Sequence, residues 1–89
     1  MNDYLKNSLK QSIKYMHYWI ERAIDDVKNK DSAHTALRFA LGYAHDLDVT
    51  MYRFQDRIDE TINWEELVKE AKDEAWKELE KENERIEKD

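Results

Sequence analysis

LRFALGYAHDLDVTMYRF, residues 37–54, places apolar side chains at Leu37, Ala40, Ala44, Leu47, Met51 and Phe54, and the same step reaches Ile58. Alternating steps of three and four put all of these on one face of a helix, in the pattern of heptad core positions. The spacing predicts one long helix over 32–61. Asp48-Val49-Thr50 is the one point where β-branched residues and a capping side chain could divide it, so a two-part helix remains the alternative.

The flanking segments carry the same period. Leu5, Leu9, Ile13, Met16, Ile20, Ala23 or Ile24, and Val27 form one stripe, which predicts a first helix over 3–29. Lys28-Asn29-Lys30 suits its carboxyl end, and Asp31 or Ser32 can cap the next start. Thr61-Ile62-Asn63 is the second punctuation, with Glu66 three residues after a capping Asn63. A third helix over 64–87 then carries Trp64, Val68, Ala71, Ala75, Leu79 and Ile86, with Leu67 and Trp76 flanking and the last turns fraying. Glu65 with Lys69, Asp73 with Lys77 and Glu84 with Lys88 stand four apart in the favourable order, each worth about 0.2–0.5 kcal/mol.

These three stripes predict an all-α fold, a three-helix bundle of two long antiparallel helices and a third acidic helix, in one domain over 1–89. The second helix carries more apolar surface than one stripe needs, which casts it as the central helix. A chain of 89 residues builds one small core, so a dimer is a natural supplement.

Composition narrows the chemistry. Hydrophobic and charged residues each make up 40%, net charge is −6, and there is no cysteine, no proline and a single glycine, Gly42. Glycine-rich phosphate loops, thiolate zinc sites, cysteine nucleophiles and β-rich folds therefore lack their residues. The amino terminus has no basic and apolar leader, and the longest apolar run, 39–44, is too short for a bilayer. The expectation is a soluble cytoplasmic protein that needs no cofactor.

Charge is uneven along the chain: residues 1–30 net +2, residues 31–62 net −3 and residues 63–89 net −5. Lys6, Lys10 and Lys14 form a basic line at steps of four, more simply a solvated face than a nucleic-acid contact. His17 with Glu21, and His45 with Asp46 and Asp48, lack further ligands at metal-site spacing, and His34 adds none.

Surface presentation to a protein partner is the reading that remains. Tyr15, Tyr18, Trp19 and Tyr52 are the aromatic anchor candidates, unless those on the first helix cover a neighbour. Glu66, Glu70, Asp73 and Glu74 are the acidic candidates on the third helix. Phe39, Gly42 and Tyr43 are candidates for self-association, because a mid-helix glycine costs about 1 kcal/mol relative to alanine and admits close approach.

Two resemblances follow from these residues. The short acidic helical pattern, including Ala44-His45-Asp46-Leu47-Asp48 and the run from Trp64-Glu65-Glu66-Leu67 to Glu87, resembles phage-encoded anti-defence proteins of the Ocr-like DNA-mimic type. That resemblance implies a helical, dimeric inhibitor that blocks a restriction or CRISPR protein by occlusion. Glu70 and Asp73, spaced E-x-x-D, are similar to half of the magnesium site of MazG-like nucleotide pyrophosphohydrolases, which is the enzymatic alternative. A structural helical assembly protein is the third.

Overall fold

The structure, a computed structural model, describes residues 3–58 and 62–88. Helix α1 spans Asp3–Lys28, α2 His34–Arg53, α3 Gln55–Ile58 and α4 Trp64–Lys88. The described residues contain no strand, so the chain is all-α as its periodicity predicts. None of its described helices is long and apolar enough to cross a membrane.

Each terminus has a local cause. The end of α1 closes as a Schellman turn: the Asp31 amide donates to the Asp26 carbonyl at 2.8 Å and the Lys30 amide to the Val27 carbonyl at 3.0 Å. This places Lys30 at φ 63°, a left-handed conformation that glycine adopts more readily than lysine. At the start of α2 the cap position is Ala33, and the Ser32 hydroxyl accepts from the His34 amide at 3.3 Å. Asn63 caps α4 as expected, its Oδ1 accepting the Glu66 amide at 3.2 Å.

The second helix is shorter than the expected 32–61. It runs unbroken through Asp48-Val49-Thr50 and ends at Arg53, with Phe54 outside it and the four-residue α3 beyond. The expected end at 61 falls outside the described residues. Packing register explains the stop. Trp19 lies against Phe39 and Tyr15 against Tyr43, so α1 and α2 run antiparallel with paired numbers summing to 58. Arg53 is therefore level with Leu5, and a longer α2 would run past the end of α1.

The core gathers Leu5, Leu9 and Ile13 of α1 with Leu67 and Ala71 of α4. Leu47 and Phe54 reach it from one side, and Ile62, Trp64 and Val68 from the other. Alanines line the remaining seams, with Ala23, Ala36, Ala40, Ala71 and Ala75 all buried, and small side chains let helix axes approach closely.

The central helix is α1, not the second helix as its apolar surplus implied. Both α2 and α4 rest on α1, while no described α-carbon of α2 comes within 8 Å of one in α4. The expected stripe is only partly buried, with Leu37 53% and Met51 39% exposed, and Leu41 of the surplus is 71% exposed. The chain extends 46 × 24 × 18 Å with a radius of gyration of 14.8 Å, against about 12 Å for a compact domain of this length.

Two substitutions separate core from terminus. Leu9, fully buried, is expected to lose about 3 kcal/mol of stability as Leu9→Ala. Lys30→Gly is expected to gain roughly 0.5–1 kcal/mol by relieving the left-handed residue. Urea denaturation followed by circular dichroism measures both, and a gain from Leu9→Ala or a loss from Lys30→Gly contradicts the packing or the turn.

Candidate functional site

The aromatic residues of α1 are placed by α2 and α4. The Tyr15 and Tyr43 rings stack with centroids 5.4 Å apart, and Trp19 stacks on Phe39 at 4.6 Å. Tyr18 meets Trp19 edge to face at 5.1 Å and is itself buried. Two expected anchors, Tyr15 and Trp19, therefore meet two expected self-association residues, Tyr43 and Phe39, along the α1–α2 seam, where Phe39 stays 48% exposed, while Tyr18 turns to Glu82 of α4. Gly42 points away from that seam: no atom lies within 4 Å of where its Cβ would stand. Tyr52 is 76% exposed on the outer side of α2.

Ion pairs fasten α1 to α4. Lys10 Nζ lies 3.9 Å from Glu70 and 3.4 Å from Glu74, Lys14 lies 3.7 Å from Glu78, and Arg22 lies 2.8 Å from Glu82. The partners advance together in number, so these two helices run parallel. Basic residues of the lysine line thus pair with an acidic row on α4, and Lys14 is buried in the process. By contrast, neither Glu65 with Lys69 nor Asp73 with Lys77 closes to an ion pair. Such surface pairs are worth too little to fix two long side chains. The Glu84 and Lys88 pair lies outside the described side chains.

Tyr18, Arg22 and Glu82 form a closed triad. The Tyr18 hydroxyl donates to Glu82, and Arg22 Nη1 donates to the Tyr18 oxygen at 3.0 Å and to Glu82 at 2.8 Å. Burial, then the hydrogen bond to Glu82, pushes the Tyr18 hydroxyl above its ordinary value of 10.0. Burial works to lower Arg22, but Tyr18 and Glu82 together raise it.

Beside this triad lies a groove of about 430 Å³ between the carboxyl half of α1 and α4. Trp76, Ile24 and Leu79 make its apolar part, and Glu21, Asp25 and Asp26 its acidic part. Trp76 is 52% exposed and Ile24 43%. Among the described residues none of these three carboxylates has a cation within ion-pairing distance, although Arg22 and Lys28 also line the groove. It continues into a smaller recess lined by His17, Lys72 and Ala75. Burial, then the nearby charge of Lys72, lowers His17 from its ordinary 6.5, while Glu21 works in the opposite direction.

The expected acidic residues divide by face. Glu70 and Glu74 are committed to Lys10, whereas Glu66 and Asp73 stay exposed. Asp73 edges a shallow hollow of about 510 Å³ floored by Trp64 and Val68. Among the described residues no three His, Asp or Glu side chains come together in a metal-binding group. His34 and His45 are exposed.

The groove at Trp76 was not singled out by sequence reasoning. The signal was present in two forms: Trp76 flanked the stripe of the third helix, and the stripe of the first could pass through Ala23 or Ile24. Burial selects Ala23, which turns Ile24 outward beside Trp76.

Two measurements follow. The folded chain resists protonation of His17 while the unfolded chain takes the proton near 6.5, so the unfolded state binds more protons in acid and stability falls below that pH. His17→Gln is expected to flatten this part of the stability profile, and an unchanged slope contradicts the assignment. Tyr18→Phe is expected to cost about 1 kcal/mol, because Glu82 and Arg22 each lose a partner.

No family model, no curated protein and no solved structure matches this chain.

Proposed function

We propose that this chain is a non-catalytic binding protein that inhibits or adapts a partner protein by covering one of its surfaces. The observation that supports this most is the groove where half-exposed Trp76 and Ile24 stand beside Glu21, Asp25 and Asp26. Tryptophan next to uncommitted carboxylates suits an arginine- or lysine-bearing segment of a partner, whose cation can lie over the ring while the acids receive its charge.

Occlusion fits better than imitation of a DNA duplex. Four carboxylates of α4, Glu70, Glu74, Glu78 and Glu82, are already paired with three cations of α1, Lys10 being shared by the first two. The outward acids that remain are interleaved with lysine. A phage anti-defence role, against a restriction or CRISPR protein, rests on the compositional resemblance and is the biological setting of this proposal. A cytoplasmic location, a three-helix bundle and a dimer belong to the same reading.

The MazG-like alternative draws on Glu70 and Asp73. Glu70 lies 3.9 Å from Lys10, so magnesium there would have to displace a lysine. The binding reading is favoured for that reason.

The test is affinity capture from the source cell by the tagged chain at low salt. A discrete protein is expected, with retention falling at least about tenfold for Glu21→Lys combined with Asp25→Lys, and for Trp76→Ala. Rising salt should weaken the native complex. Equal retention by all three chains removes the groove from the proposal, and pyrophosphate release from nucleotides with magnesium, lost in Glu70→Gln, would favour the enzyme instead.

A further inference from the structure

Part of the exposed side of α2 is a strip of large apolar side chains that cover nothing in the core. Helical spacing puts Leu37, Leu41, Ala44 and Met51 on one strip that also carries Asp48, with Tyr52 at its border. Leu41 is 71% exposed, Leu37 53% and Met51 39%. These side chains lie apart from the Tyr15, Trp19, Phe39 and Tyr43 seam and from the acidic groove at Trp76.

The chain as a whole exposes more surface than a compact one of its mass. The chain has 6978 Å² of accessible surface at 10.8 kDa, and the scaling of surface with mass gives about 5,500 Å² for a compact monomer. The excess, roughly 1,400 Å², belongs to the whole elongated chain of 46 × 24 × 18 Å, and the exposed side chains of α2 are one part of it.

Charge along α2 selects the occupant. Within His34–Arg53 the first half carries Arg38 alone, net +1, and the second half carries Asp46 and Asp48 against Arg53, net −1. A second copy laid antiparallel on this helix sets each positive half against a negative half, and a two-fold axis satisfies both pairs at once. Parallel pairing would oppose like charges.

We infer that the chain forms an antiparallel homodimer through the outer face of α2, with Leu37, Leu41 and Met51 of each copy buried across the two-fold axis. Arg38 then faces the half of the second copy that carries Asp48 and the ring of Tyr52. The interface leaves the groove at Trp76 open on both copies, so the assembled particle is bivalent.

Light scattering after size exclusion tests this across a dilution series. The native chain is expected at twice 10.8 kDa, and Leu41→Glu at the mass of one chain with unchanged helical circular dichroism, since Leu41 supports no internal contact of the core. Arg38→Glu and Asp48→Lys should each shift the equilibrium towards the single chain, and the double exchange should restore the dimer. A native chain that stays monomeric at the highest concentration, or a Leu41→Glu chain that keeps the double mass, overturns the inference. Failure of the exchange to restore assembly overturns the antiparallel geometry. Partner capture through Trp76 is read separately on the Leu41→Glu chain, where its loss or survival bears on the groove alone.

Discussion

Both α2 and α4 depend on a single support, helix α1. The seams are built from buried alanines, Ala23 on α1, Ala36 and Ala40 on α2, and Ala71 and Ala75 on α4. Leu5, Leu9 and Ile13 supply the larger volume where side chains from all sides converge. Small side chains permit close approach but bury little area each, so the arrangement gains its hydrophobic stabilisation chiefly at one end of α1. The polar fastening at the other end, Tyr18 and Arg22 with Glu82, is correspondingly valuable, because there the apolar residues Ile24 and Val27 are exposed.

This division of labour decides which groups are available for function. Lysines 10 and 14, which in sequence look like a solvated basic face, are bound to the acidic row of α4. Tyrosines 15 and 18 and Trp19, which look like anchors, hold helices together. What remains uncommitted is the pairing of Trp76 and Ile24 with Glu21, Asp25 and Asp26, and the apolar strip on the exposed side of α2. Chemistry on the surface is what the internal contacts leave over.

Periodicity made most of the secondary structure legible. The start and end of α1, the Asn63 cap and the extent of α4 lie within a residue or so of their expected places, because caps and apolar spacing are local properties. The stop after Arg53 was not legible. Nothing in Met51-Tyr52-Arg53-Phe54 terminates a helix, and the reason for stopping is that α1 ends level with it. The central place of α1 was hidden for a similar cause: α2 has the richer apolar composition, yet burial depends on having a neighbour on each side.

The sequence by itself determined that this chain is all-α, with three long amphipathic helices, a basic first segment and an acidic last one. Those follow from spacing and from the sign of each residue. Only the tertiary structure decided which helix is central, which carboxylates are paired and which aromatics stay outside. The physical reason is that each helix has several faces of similar chemistry, and only the register and direction of its neighbours determine which face is removed from water.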